Sequence, residues 1–169
     1  MILREIQIGD EVEALRANEE LEADDFHFLL MYEPGMNWSE FIRIHEDFRN
    51  GLVPEGKVAA SFLFAVDNDE IVGRVSIRHA LNDFLFNYGG HIGYAVRPKF
   101  RRKGYATEIL KQALEFCRGL GLEKALVTCN DTNVPSAKTI EKCGGKLENK
   151  VIEQIESGER LVRRYWIDL

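Results

Sequence analysis

From Ala106 onward the apolar positions fall at 106, 109, 110, 113, 114 and 117, the stripe of one helical face. This spacing predicts a helix that begins near Tyr105 and ends at Gly119 and Gly121, where a left-handed residue can close the last turn. A second stripe, Phe41, Ile44, His45 and Phe48, predicts a helix over 38–49, with Pro34-Gly35 as the turn before it and Gly51 as its stop. Elsewhere the period shortens. Residues 58–66 and 71–77 are rich in β-branched and aromatic side chains and flank Asp67-Asn68-Asp69-Glu70, the arrangement of a hairpin. Further strands are predicted over 2–8, 91–96 and 124–129, a short helix over 133–142 stopped by Gly144-Gly145, and a closing hairpin over 146–169 that turns at 156–159. Strands before and after each late helix define an α/β chain built on a mixed sheet.

No internal repeat and no low-complexity linker interrupts the 169 residues, which are read as one domain spanning 1–169. The longest apolar stretch, 59–66, is about half of a bilayer span, and the first residues lack the apolar core of a secretory leader. A cytoplasmic protein with no membrane partner is expected. Twenty-two basic against 28 acidic residues give a formal charge of −6, a field that repels phosphate and argues against nucleic acid as a partner. Much of the acid lies between Asp10 and Asp25, a helical stretch read either as a solvated face or as a field that draws in a cationic amine. Cys117, Cys129 and Cys143 share no paired spacing and the four histidines form no ligand pattern, so neither a disulfide framework nor a metal is expected.

Against this acidic background, Arg97, Lys99, Arg101, Arg102 and Lys103 crowd into one short connection between a predicted strand and a predicted helix. The first turn of a helix leaves backbone N–H groups without partners and carries partial positive charge, so such a junction can seat a diphosphate. Gly104 lets a ligand approach the chain, and Ala106 keeps the next turn uncrowded. The spacing Arg101-x-x-Gly104-x-Ala106 alone arises by chance in roughly 10–20% of chains of this size. Its place between strand and helix, with a second site downstream, supplies the specificity. No G-x-G-x-x-G follows an early strand, and Gly104 is followed by Tyr105 rather than Lys-Ser/Thr, which removes the Rossmann and P-loop readings.

The stretch Gly93-Tyr94-Ala95-Val96-Arg97-Pro98 through Arg101-Arg102-Lys103-Gly104-Tyr105-Ala106 resembles the central cofactor motif of the GNAT superfamily of acyl-CoA-dependent N-acyltransferases. Downstream, Asn133-Val134-Pro135-Ser136 and Ile140-Glu141-Lys142-Cys143-Gly144-Gly145 are similar to that family's Asn-x-x-Ser/Ala helix ending in Glu-Lys-x-Gly. The likeness is clear over 71–145, and the order of elements fits the whole chain. The resemblance implies a mixed, mostly antiparallel sheet flanked by helices, its central strands splayed around acetyl-CoA as co-substrate, and two N-terminal helices on the substrate side. It implies that the backbone from Arg102 through Lys103, Gly104, Tyr105 and Ala106 to Thr107, beside Arg101, holds the diphosphate. It also implies that Val96 pairs with the pantetheine arm and that Asn133 and Ser136 flank that arm. The implied reaction is direct transfer of an acetyl group to a primary amine of a small molecule or peptide; a homodimer is compatible with it. Two positions depart from the family. Ile140 stands where many members carry a tyrosine that protonates the thiolate, and Gly90 stands where some carry a catalytic glutamate.

Direct transfer needs a neutral amine and a route for the thiolate to leave. For a thiol of pKa about 8.5, releasing bare thiolate at pH 7 is uphill by roughly 2 kcal/mol; neutralising a lysine-like amine of pKa about 10.4 costs about 5 kcal/mol, and an α-amino group near 8 about 1.4 kcal/mol. A missing base thus weighs more than a missing acid and favours weakly basic acceptors. Three residues are candidate replacements. Tyr94 shares side-chain parity with Val96 and can donate from the cleft face, while His91 and His79 can accept a proton. His91 has the wrong parity unless Gly89-Gly90 introduces a bulge, and His79 opens the connection 80–89, read as a substrate lip. Two other functions share the basic loop: an acyl-CoA-binding sensor without the chemistry, and a phosphate-binding adaptor for a nucleotide or a protein.

Overall fold

The computed structural model describes residues 1–22 and 26–169. Seven strands, β1 (Ile2–Arg4), β2 (Ala60–Asp67), β3 (Glu70–Arg78), β4 (Ile92–Val96), β5 (Lys124–Asn130), β6 (Lys146–Ile155) and β7 (Gly158–Asp168), form one sheet in the order β1-β2-β3-β4-β5-β7-β6. All neighbours run antiparallel except β4 and β5, which are parallel. The helices α1 (Glu11–Glu22) and α2 (Trp38–Arg49) precede β2; α3 (Tyr105–Gly119) and α4 (Val134–Lys142) flank β5 in sequence. Among the described residues no helix is long and apolar enough to cross a membrane.

Each face of the sheet buries its own apolar cluster. Val75, Ile77, Ile92, Ile109, Leu110, Ile140 and Tyr165 fill the layer between the sheet and α3 and α4, and the stripe that predicted α3 is the face that is buried. Leu21, Phe28, Trp38, Phe41, Phe62 and Phe64 fill the layer beneath α1 and α2. Alternation along β3 sends Val75 and Ile77 to the first layer and Arg74, Ser76 and Arg78 to the second.

One pairing positions everything that follows. β4 stays paired to β3 from Ile92↔Ile77 to Val96↔Gly73, and β5 stays paired to β7 along its whole length, yet β4 meets β5 only at Ile92↔Val127. Beyond that point the two central strands diverge and leave a wedge.

Two elements differ from the sequence pattern, and a third is described only in part. The first strand stops at Arg4 rather than at residue 8 because the Asp10 carboxylate takes the Gln7 N–H at 2.7 Å and both Arg4 guanidinium nitrogens at 2.7 Å, closing a 3-10 turn over Ile8–Asp10. Residues 85–89 form a π turn inside the expected open connection. The acid-rich stretch is helical over Glu11–Glu22, and the part of that reading on Asp24 and Asp25 lies outside the described residues.

Candidate active site

On the β4 side of the wedge, toward α3 and α4, lies a cavity of about 390 Å³ lined by Tyr94, Ala95 and Val96 of β4, Ala106 of α3, Pro135, Ser136 and Thr139 of α4, and Asn133, Arg101, Leu21 and Phe26 around the rim. Five residues singled out for the coenzyme therefore meet in one place: Val96, Arg101, Ala106, Asn133 and Ser136. Arg102, Lys103, Gly104, Tyr105 and Thr107 form the adjoining loop and first turn of α3.

The start of α3 is built to leave donors unspent. Arg102 has φ 61° and Gly104 φ 87°, and no side chain caps the helix. Its first intrahelical bond is Glu108 N–H to Gly104 O, so the amides of 105–107 precede the ladder and carry the positive end of a 15-residue helix. Successive amides around residues in the left-handed region form a concave anion seat. A Cβ on Gly104 would meet no protein atom within 4 Å, so the space beside it is open. The Tyr105 side chain points elsewhere: its hydroxyl donates to Asp67 at 2.7 Å and its ring packs edge-on against Phe100, which anchors the turn.

Charge in the loop is distributed differently from the sequence reading. Arg97, counted there as part of the anion site, is 1% exposed and donates to Glu20, Glu13 and the Ile71 carbonyl at 2.7–2.9 Å. Lys99 pairs with Glu70 at 2.7 Å. Arg97 and Lys99 are thus engaged away from the seat, whose positive end is the start of α3 itself. Glu13 and Glu20 are neither a merely solvated face nor a lure for amines; they neutralise a buried arginine. The Val96 carbonyl already accepts from Arg101 Nε at 3.2 Å.

Of the three acid–base candidates, only Tyr94 reaches the wedge. Its hydroxyl lies 3.0 Å from Ser136 Oγ, and burial pushes its pKa up to about 12. A phenol so placed stays protonated and can donate to a departing sulfur. The hydroxyl meets α4 at Ser136, one turn before Ile140, whose own side chain is fully buried in the core. His91 is buried and forms a bridge between strands: its N–H donates to the Leu126 carbonyl at 2.7 Å and its Nδ1 accepts the Leu126 N–H at 2.9 Å, which fixes the neutral ring as the Nε2–H tautomer. His79 hydrogen-bonds Ser61 at 2.9 Å and lies beside Phe116 near the far end of α3. Neither histidine lines a cavity at the wedge, which corrects their placement as bases facing the substrate. Gly90 has φ 67° and a Cβ there would sit 2.6 Å from the Leu126 carbonyl, so no glutamate fits this backbone.

A second cavity of about 290 Å³ adjoins the first through Tyr94 and Phe26. Tyr88 and Gly89 of the π turn form one wall, as expected of the 80–89 lip; Leu30 lies in the segment after α1, while α2 contributes nothing to the lining. The turn is held by Thr128 Oγ1 on the Tyr88 carbonyl at 2.7 Å and by Arg164 on the Phe86 carbonyl at 3.0 and 3.1 Å. Sequence reasoning missed this cavity's charge. Arg74 is 4% exposed, donates weakly to the Gly93 and His27 carbonyls at 3.2 and 3.4 Å, and keeps a buried Nε without a partner. Arg78, partly buried, reaches among the described residues the Gly89 carbonyl at 3.5 Å. Burial, with the neighbouring Arg78 charge, pushes Arg74 down to about 9, and burial lowers Arg78 as well. Removing an ion from water costs several kcal/mol. The Phe26 and Phe62 rings, 4.9 and 5.8 Å from the Arg74 guanidinium, return about 2 kcal/mol each. Among the described residues no carboxylate or imidazole lines either cavity, and the third arginine, Arg160, is paired with Glu153.

A divided sheet, an uncapped helix start and the Tyr94 hydroxyl thus converge on one cavity. Residues 1–146 match the acetyltransferase (GNAT) domain family, and the chain belongs to that family. Its curated relative YnaD of Bacillus subtilis (strain 168), named as an uncharacterized N-acetyltransferase, is 25% identical over 101 residues, 59% of this chain; the match spans 57% of the relative's length. Solved structures share the fold. A chimeric spermidine N-acetyltransferase SpeG from Vibrio cholerae superposes with TM-score 0.67 at 20% identity, covering 99% of this chain and 96% of that one. The yncA protein of Salmonella typhimurium, solved with its cofactor acetyl-CoA, gives 0.68 at 14% identity over 99% and 93%. A GNAT acetyltransferase from Streptococcus pneumoniae gives 0.69 at 17% over 99% of both.

Proposed function

We propose that this chain, acting as one domain, transfers the acetyl group of acetyl-CoA to a primary amine by direct attack. The observation that carries the reading is the uncapped α3 start opening into the wedge that ends at the Tyr94 hydroxyl. The amides of 105–107, with Arg101, Arg102 and Lys103 around them, hold the diphosphate. The diverging edges of β4 and β5 hold the pantetheine arm between them, Val96 on one side and Asn133 and Ser136 near the other. The amine nitrogen bonds to the thioester carbon, the carbon–sulfur bond breaks, and the proton lost from nitrogen balances the one gained by sulfur. Tyr94 donates a hydrogen bond to that sulfur. Full transfer from a phenol near 12 to a thiolate near 8.5 is uphill by about 5 kcal/mol, so Tyr94 stabilises the leaving charge and solvent completes the exchange. With no imidazole or carboxylate lining the cavities among the described residues, the amine is taken up neutral.

Free-thiol release from acetyl-CoA, measured with a panel of amines, tests this reading. Turnover above hydrolysis supports it. Tight binding without turnover by any amine would instead make the chain an acyl-CoA sensor, and failure of CoA to bind while nucleotides do would make it an adaptor.

A further inference from the structure

The second cavity adjoins Tyr94, where on the proposed reading the acceptor nitrogen arrives, and its charged lining among the described residues is cationic. Arg74 and Arg78 stand on the same face of β3 and converge on Gly93: Arg74 Nη1 donates to the Gly93 carbonyl, and a Cβ on Gly93 would come 3.1 Å from Arg78 Nη1. A side chain at 93 would crowd that guanidinium. No ion pair engages either arginine among the described residues, and the Arg74 Nε donor is buried and unspent. In a chain of net charge −6, carboxylates are abundant, and several already pair with Arg97, Arg160, Arg163 and Arg164. Leaving these two unmatched prepares the cavity for an anion brought from outside.

We propose that the acceptor is a small amine carrying its own carboxylate or phosphoryl oxyanion, which Arg74 and Arg78 hold over Gly93 while the amine faces Tyr94. The proposal rests on the acetyl-transfer reading and adds the substrate class. Two guanidinium charges beside the acceptor also disfavour its ammonium form and so favour the neutral amine that attacks. A polyamine meets the opposite field. The cavity's size, about 290 Å³, is at the small end of small-molecule sites, roughly 300–1,000 Å³, and suits an amino acid or an aminoalkyl phosphate.

The test compares kcat/KM for common L-amino acids with their methyl esters, for aminoalkyl phosphates with the parent amino alcohols, and for spermidine. The free acid or the phosphate is expected to exceed its uncharged counterpart at least tenfold, although the ester amine is the less basic and the better nucleophile at neutral pH. Preference within the two arms tells carboxylate from phosphate. R78M should lower kcat/KM for the free acids or phosphates at least tenfold more than for their uncharged counterparts, with R78K restoring part of the preference. Esters equal to acids, or spermidine ahead of every acid, would overturn the proposal while leaving acetyl transfer intact. If no amine turns over, calorimetry on the acetyl-CoA-loaded protein still decides: heat with the anionic amines and none with their neutral counterparts supports the anion site, and no heat with either overturns it.

Discussion

The starts of α3 and α4 face one cleft and are built in opposite ways. Asn133 enters α4 with its side-chain oxygen on the Ser136 N–H at 3.1 Å, so that helix satisfies one of its own first donors. Gly104 enters α3 in the left-handed region with no side chain to offer, and the first-turn amides are left to whatever fills the open space beside it. The contrast separates two uses of one element. A capped start holds its side chains still, and α4 presents the Ser136 hydroxyl to Tyr94; an uncapped start presents backbone charge.

Converting the second kind of start into an acidic one should have the largest effect. Gly104→Asp places a carboxylate against the amides of 105–107 and is expected to weaken acetyl-CoA binding about 100-fold or more by calorimetry. The left-handed backbone costs Asp about 1–2 kcal/mol, so Tm should fall by only a few degrees, and unchanged affinity would remove the α3 start from the site. Next comes the link between the two starts. Tyr94→Phe should lower kcat by up to about 30-fold, the rate equivalent of the roughly 2 kcal/mol needed to release thiolate, with KM for acetyl-CoA within about threefold. Because burial holds the Tyr94 phenol near 12, the wild-type kcat should show no alkaline loss up to about pH 10, and a fall centred near pH 9 that Tyr94→Phe abolishes would contradict this environment. The smallest effect belongs to the capped start. Asn133→Ala should cost about 1 kcal/mol, or 2–4 °C in Tm, and Asn133→Asp should recover most of it in thermal melts.

Local pattern carried most of the fold. The α3 stripe, the 67–70 hairpin and the glycine stops all depend on neighbours a few residues apart, and each stands where its spacing put it. The anion loop was legible for the same reason, since strand, basic run and glycine are consecutive. Partners set by tertiary closure were not. Arg97 read as a phosphate ligand because Glu13 and Glu20, which claim it, lie 84 and 77 residues earlier. His91 gave no sign that Leu126 would take both its backbone and its ring. Arg74 and Arg78 alternate with Val75 and Ile77 like the wet side of a half-buried strand, and the segment around Phe26 and Leu30, 48 residues earlier in the chain, turns that side into a cavity.

The lone Ile92↔Val127 rung leaves β4 and β5 with what amounts to two selvedges in the middle of the cloth. An outer border of a sheet invites a stray chain to dock and propagate into aggregates, and proteins guard against this with charge or bulges. Here the raw margins diverge inside the sheet beside a cavity rimmed by Leu21 and Phe26, and under the proposed function the amide-bearing arm of the coenzyme would lie where a stray strand could otherwise pair. On that reading, the adhesiveness of an unfinished weave would be kept for a single small guest.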